Sequence, residues 1–322
     1  MFKIIEDDEA RLLLDRADAI GIVEAAYRMG ASGNADVSQP SALLMRGQAG
    51  SDTHIKVKGA VLDELNVAGF RLVADGALTS PDGSAYLYVA DACTARPLGL
   101  VSESWLQRIR TASTALVTCR TLFPAEAKVL ALVGTGRIAA EFIRSCHLVL
   151  PGVNIVLASR SPARAHAKAK EWRHLTPNWL SPATIPDALA QADVVVTLSD
   201  AAEVLFKASV LQPHALLCAR GGRHEFDSDV LHAADAFIVD EMDFVCTFGS
   251  ATHWIATGQL TRADLERRLD ATIGELLVGA KSIGKDRRTL AIIQGMAICD
   301  LALAKTVLDR AAGAVQSRQA NA

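Results

Sequence analysis

The chain has 322 residues, half of them hydrophobic, with 33 basic against 36 acidic side chains and a net charge of −3. This excludes a disordered chain, which would combine low hydrophobicity with high net charge, and it offers no basic surface for nucleic acid. The length suits two modules rather than one minimal core. No apolar run reaches the ~18 residues that a membrane span needs. Residues 1–15 carry acids where a secretory leader needs a cationic start, so a cytoplasmic protein is expected. Six cysteines are scattered without a C-x-x-C pair and read as buried thiols. The histidines show no ligand spacing, and no metal site is expected.

Along the first third, Asp8 is placed to cap a helical piece from Glu9, and a second piece runs from Ala19 to Met29. Pro40 to Arg46 reads as extended. Short strand-like runs follow at His54–Val57, Phe70–Val73, Tyr86–Val89 and Leu98–Val101, separated by Asp75-Gly76 and Asp82-Gly83 turns, which predicts a mixed or antiparallel sheet. A long helix is predicted from Ser102 to Phe123, ended by Pro124. Beyond it, apolar runs at Val129–Val133, Ile155–Ala158, Val194–Leu198, Ala215–Ala219 and Ala236–Val239 alternate with helical segments. That pattern implies a parallel sheet covered on both faces. Thr261 with Asp264 predicts a capped helix reaching Gly274, residues 289–313 read as a last helical run, and the polar tail after Ala314 as frayed. Trp105, Trp172, Trp179 and Trp254 are expected in a core or interface.

The strongest motif is Val129-Leu130-Ala131-Leu132-Val133-Gly134-Thr135-Gly136-Arg137-Ile138-Ala139, a strand, then G-x-G-x-x-A, then a helical run over 140–149. Gly134 permits the tight turn, Gly136 lets backbone approach a pyrophosphate, and Ala139 keeps the helix close to the strand. The helix N-terminus offers unpaired N–H groups and the positive end of its dipole to the anion. Dinucleotide binding by the run from Gly134 to Ile138 is the expectation. The second strand ends in Ser159-Arg160-Ser161, with no acid to accept from the ribose hydroxyls. Those residues suit a 2′-phosphate, so NADP(H) is favoured over NAD(H).

Four stretches together resemble the ornithine cyclodeaminase/mu-crystallin family over nearly the whole chain. They are Ile55-Lys56-Val57-Lys58 with Gly69-Phe70 following, Arg110-Thr111-Ala112-Ser113-Thr114-Ala115, the glycine loop, and Gly295-Met296-Ala297-Ile298-Cys299-Asp300. The resemblance implies an α/β fold in which a Rossmann-type NAD(P)-binding domain (118–295) is inserted in a second α+β domain (1–117 plus 296–322). That second domain would bind substrate and form a homodimer through its sheet.

It also implies roles for single residues. Arg110 matches the arginine that grips a substrate carboxylate, for which a planar guanidinium is suited. Thr111 would lie near the cofactor phosphates, and Gly295 beside the cofactor. Lys56 matches the lysine beside the substrate α-carbon, able to move a proton, with Lys58 as competitor on the same strand face. Arg46 resembles a second carboxylate ligand. Ornithine cyclodeaminases carry an aspartate for the δ-amino group after the fourth strand-like run. Here the segment reads Ala219-Arg220-Gly221-Gly222-Arg223-His224-Glu225-Phe226-Asp227, and Arg223 or His224 falls in its place. A cation there would repel an ornithine ammonium. Glu225 and Asp227 are expected at the start of the next helix, with Asp227 as a cap.

Three readings follow. The first is an NAD(P)H-dependent oxidoreductase acting on an imino, keto or amino acid. The second is an ornithine cyclodeaminase, a lyase that recycles NAD. The third is a non-enzymatic NADP-binding protein. The first is preferred because the catalytic Lys and Arg are present and the acid for a δ-amine is not found.

Overall fold

The structure is a computed structural model that describes residues 2–46, 54–74, 85–124 and 126–320. The chain divides into two compact units, Met1–Arg110 with Met296–Ala322, and Thr111–Gly295. The Asp75-Gly76 and Asp82-Gly83 turns lie outside the described residues.

The first unit opens with β1 (Lys3–Ile5), α1 (Asp7–Leu13) and α2 (Arg16–Ala31), followed by β2 (Ala35–Val37), β3 (Leu43–Arg46), β4 (His54–Leu62), β5 (Val67–Ala74), β6 (Tyr86–Asp91) and β7 (Pro97–Ser102). The strands form one sheet in the order β1-β7-β6-β5-β4-β2, with β3 also on β4. Only the β1–β7 pair is parallel. Asp8 does not cap α1, which starts one residue earlier and has no side-chain cap. The Asp7 carboxylate instead accepts from Ser102 Oγ at 2.7 Å and from the Trp105 amide at 3.0 Å. It thereby satisfies an orphan donor at the start of α3 (Glu103–Leu122). The cap of α2 is Asp15, accepting from the Asp18 amide at 2.8 Å.

The second unit takes up α3 at Thr111 and runs β8 (Val129–Val133), α4 (Arg137–Cys146), β9 (Asn154–Ala158), α5 (Pro162–Trp172), β10 (Leu180–Ala183), α6 (Ile185–Ala190), β11 (Val194–Thr197) and β12 (Leu216–Ala219). It continues α7 (Asp229–Ala233), β13 (Ala236–Val239), α8 (Met242–Thr247), α9 (Ser250–Ala256), α10 (Arg262–Arg268), β14 (Ala271–Thr272), α11 (Ile273–Leu277) and β15 (Thr289–Ile292). All eight strands pair in parallel, in the order β10-β9-β8-β11-β12-β15-β13-β14. The continuous apolar strands predicted this: β11, β12, β13 and β15 are buried at every position, as a sheet covered on both faces requires.

Two boundary expectations are corrected. Residues 289–313 are not one helix: Thr289–Ile292 is an interior strand, and the helix is α12 (Ala297–Ala320). Gly295 separates them at φ 88°. A short apolar run carries no periodicity that distinguishes buried strand from buried helix. The Thr261 helix has its capping box but stops at Arg268, where Leu269 turns extended and the chain rejoins the sheet as β14.

In the first unit α12 packs on β4 to β7 and on α2, around Val23, Tyr27, Leu62, Val67, Val89 and Leu303. Each such fully buried large side chain contributes roughly 1.5–3 kcal/mol. Strands β3 and β5 nevertheless leave Leu43, Leu44, Met45, Phe70 and Leu72 exposed. Trp105, Trp172 and Trp254 are buried as expected, but Trp179 is 60% exposed, with Arg173 over its ring at 5.3 Å. No described helix is long and apolar enough to cross a membrane.

Candidate active site

A cluster of charges lies inside the first unit. Arg110 on α3 is 3% exposed. Its Nε donates to Asp300 Oδ1 at 2.6 Å, and its Nη1 is buried with no hydrogen-bond partner. Asp300, on the first turn of α12, also pairs with Arg71 Nη1 at 3.4 Å, and Arg71 pairs in turn with Glu103. Lys58 is buried too and acts on Asp300 through its charge. Burial works against the Asp300 carboxylate, but Arg110, Arg71 and Lys58 hold it below the usual carboxylate range. Burial pushes Glu103 up to about 7 despite Arg71. Among the described residues of the cluster, the three cations Lys58, Arg71 and Arg110 meet the two acids Asp300 and Glu103, one positive charge in excess with both acids ionised. A buried donor without a partner is costly, and Arg110 Nη1 is such a donor, suited to an anion.

Sequence reasoning found Arg110 and quoted Asp300 without a role. It missed Arg71 and Glu103. The signal was present: Arg71 sits between Phe70 and Leu72 on an alternating strand, so it takes the inward side that the two exposed apolar residues leave. Lys56 lies two residues from Lys58 on the same strand face, half-buried, with Leu44 and Val73 as its cross-strand partners. Burial therefore places Lys58 rather than Lys56 among the cluster. The side chain of Arg46 lies outside the described residues; its backbone closes β3 opposite His54.

The second unit carries the glycine loop. Gly134 has φ 134°, and a Cβ there would collide with the carbonyl of Leu198. Gly136 is the N-cap of α4, exposed, with open space where its Cβ would be and no side chain capping the helix. A helix start without a side-chain cap suits an external anion. Thr135 is buried and Arg137 exposed. Thr111 is buried with an unpartnered Oγ1. The sheet order turns back between β8 and β11, which is where open α/β sheets take nucleotides at the carboxyl ends of their strands. The residues present fit a dinucleotide.

Ser159, Arg160 and Ser161 follow β9 directly. Ser159 Oγ donates to the Ser161 carbonyl at 2.7 Å, and Ser161 Oγ caps α5 by accepting from the Arg164 amide at 3.3 Å. Arg160 is exposed. Gly295 donates its N–H to Asp240 at the end of β13, whose other oxygen accepts from the Gln294 amide at 3.1 Å.

The segment after β12 departs from expectation. Arg223 and Asp200 form an exposed pair at 3.3 Å. His224 Nε2 meets Asp227 Oδ1 at 2.9 Å, and its ring stacks on His253 at 3.6 Å between centroids. Asp227 therefore does not cap α7, whose N-cap is Ser228. Glu225 does not open that helix. It is buried, taking hydrogen bonds from Thr197 and Ser199.

The family profile of ornithine cyclodeaminase/mu-crystallin proteins matches residues 1–314. The chain belongs to this family. It is 23% identical over 233 residues to the Delta(1)-pyrroline-2-carboxylate reductase of Bacillus cereus, covering 69% of this chain and 70% of that one. It is 25% identical over 244 residues to the NAD(P)H-dependent anabolic L-arginine dehydrogenase of Pseudomonas aeruginosa, covering 73% and 74%. Its fold matches the Thermococcus litoralis Delta(1)-pyrroline-2-carboxylate reductase, solved with NADH and L-proline. The TM-score is 0.85 at 18% identity, over 97% of this chain and 98% of that one.

Proposed function

We propose that this family member is an NAD(P)H-dependent oxidoreductase that reduces an α-imino acid, either a cyclic imine or one formed from an α-keto acid and an amine with loss of water, to an α-amino acid, with NADP(H) favoured over NAD(H). The observation that carries the reading is the buried Arg110 guanidinium, whose Nη1 is unpartnered. A carboxylate satisfies that donor. Asp300 holds the guanidinium in place, so Arg110 meets the substrate already oriented.

The nicotinamide supplies the hydride when bound. The glycine loop and the start of α4 would hold its pyrophosphate, Thr111 Oγ1 would donate to a phosphate oxygen, and Arg160 would pair with a 2′-phosphate. Lys58 would give the proton that the substrate nitrogen takes up when the C=N double bond is reduced. This moves the acid role from Lys56, on the grounds of burial. The exposed apolar residues of β3 and β5 pack against a second copy in a homodimer.

Arg223 and His224 occupy the positions where cyclodeaminases carry the acid for a δ-amino group, which weighs against cyclodeaminase chemistry. The test is absorbance at the reduced-nicotinamide band, with NADPH or NADH against a panel of cyclic imines and keto acids with amines. Substrate-dependent loss of reduced cofactor is the expected result. Proline and ammonia from L-ornithine, with no net cofactor change, would replace the reading with the lyase.

A further inference from the structure

Glu225 has no part in the chemistry above, yet it is a 1%-exposed carboxylate at the carboxyl edge of the parallel sheet. Thr197 Oγ1 donates to its Oε2 at 2.7 Å and Ser199 Oγ to its Oε1. The amides of Ser199 and Gly221 also favour its charged form. Its own amide donates to Ser250 Oγ at 3.2 Å, and its carbonyl accepts from the Leu205 amide at 2.8 Å. A Cβ on Gly221 would overlap the carboxylate, so the backbone there lies directly on it. Two hydroxyls from the exit of β11 donate to one buried acceptor, and the backbone that follows β12 lies against it. Burying an acid among neutral donors is unfavourable, and burial duly pushes Glu225 up to about 7. An apolar side chain would fill the space at less cost but would leave those donors unsatisfied.

What the donors belong to is informative. Ser199 follows Leu198, and the Leu198 carbonyl lies against the α-carbon of Gly134. The Leu198–Ser199 peptide is therefore one wall of the crevice between the exits of β8 and β11, where the sheet order turns back.

We propose that Glu225 is a positioning residue for the nicotinamide nucleotide: its carboxylate ties the exit of β11 to the exit of β12 and so sets the Leu198–Ser199 wall against the glycine loop. This rests on the reading of that loop as the nucleotide site. Glu225 touches neither the nucleotide nor the substrate; it acts through Ser199. The substrate grip around Arg110 uses none of these residues.

The experiment is a fluorescence titration of NADPH and NADH into the full chain and into Glu225→Ala, Glu225→Gln, Gly221→Ala and Ser199→Ala. Glu225→Ala and Gly221→Ala are expected to weaken the preferred nucleotide by about tenfold or more, with the substrate Michaelis constant unchanged at saturating nucleotide. Glu225→Gln recovers most of the loss, because its amide oxygen still accepts. That rescue, and the split between nucleotide and substrate, would not follow from a general loss of packing. Should Glu225→Ala fail to fold, Ser199→Ala carries the test, with a loss of about threefold expected. Nucleotide affinity within about twofold of the parent in folded Glu225→Ala, or in Ser199→Ala where the former does not fold, overturns the proposal. A parent chain that binds neither nucleotide overturns the cofactor reading and this inference with it.

Discussion

Lys58 and Arg71 stand directly opposite each other on the β4–β5 ladder, and both are buried beside Asp300. Like charges in that position repel. They are tolerated because the Asp300 charge acts on both cations and Arg71 pairs with Glu103 as well. Arg71 is committed to the two acids, and the proposal gives Lys58 the proton transfer. Lys58→Met is expected to abolish turnover while leaving nucleotide affinity unchanged, and Lys56→Met to retain most of it. Steady-state rates of the two variants check this, and the opposite ranking would return the acid role to Lys56.

Arg110→Ala removes the unpartnered donor and the shorter of the two ion pairs that Asp300 makes. The substrate Michaelis constant is expected to rise about 100-fold, from a lost charge-assisted contact of roughly 1.5–3 kcal/mol. Nucleotide affinity should not change. Loss of the buried pair also lowers stability by about 3–5 kcal/mol, so melting is measured alongside, and Arg110→Lys serves as the milder variant. A weakened nucleotide with an unchanged Michaelis constant would contradict the assignment.

Glu103 ties substrate binding to pH. Burial raises its carboxyl to about 7, so it takes up a proton as pH falls through that value. The cluster then changes from one excess positive charge to two, and an anionic substrate binds more tightly. The Michaelis constant is expected to fall between about pH 8 and about pH 6, and Glu103→Gln to flatten the profile. The sign for stability is the same: an acid whose pKa is raised on folding favours the folded state at low pH. That contribution is lost as pH climbs from the unfolded value of 4.5 toward 7. Melting temperature against pH, with and without the Glu103→Gln change, reads it directly.

In the NADP(H) reading proposed above, Arg160 is the cation for the 2′-phosphate. Arg160→Ala is expected to cost NADPH about tenfold in affinity and NADH almost nothing, as an exposed charge-assisted contact would. Equal losses for both nucleotides would show that Arg160 does not discriminate between them.

Leu72 and Phe70 point away from the core on either side of the buried Arg71. Leu72→Glu is expected to shift the chain from dimer to monomer in light scattering, with the monomer still folded. A dimer that survives the charge would place its interface elsewhere.

Much of this architecture was legible in the residues. The glycine loop announced itself because strand, turn and helix start must coincide, and Val129–Val133 and Gly136 fall where they were expected. The capping box of Thr261 and Asp264 was equally local. What escaped were groups whose meaning lies far along the chain. Arg71 and Glu103 look like surface charges until a strand and a helix separated by some thirty residues bring them together. Glu225 reads as the start of a helix because its partners, Thr197 and Ser199, are on another strand. Lys58 and Lys56 share a face, and only burial tells them apart. Thr289–Ile292 is too short and too uniformly apolar to declare a period.

That last strand bears on how the protein is made. β15 stands between β12 and β13 although it is the final strand to be synthesised. Until it emerges from the ribosome, β13 and β14 have no neighbour to join, and the parallel sheet stands split. A ribosome-bound chain halted before Thr289 should therefore expose an unfinished edge and be protease-sensitive there, whereas one carried a few residues further can close the sheet. The unit that carries the glycine loop thus closes only near the end of synthesis, shortly before α12 completes the other unit.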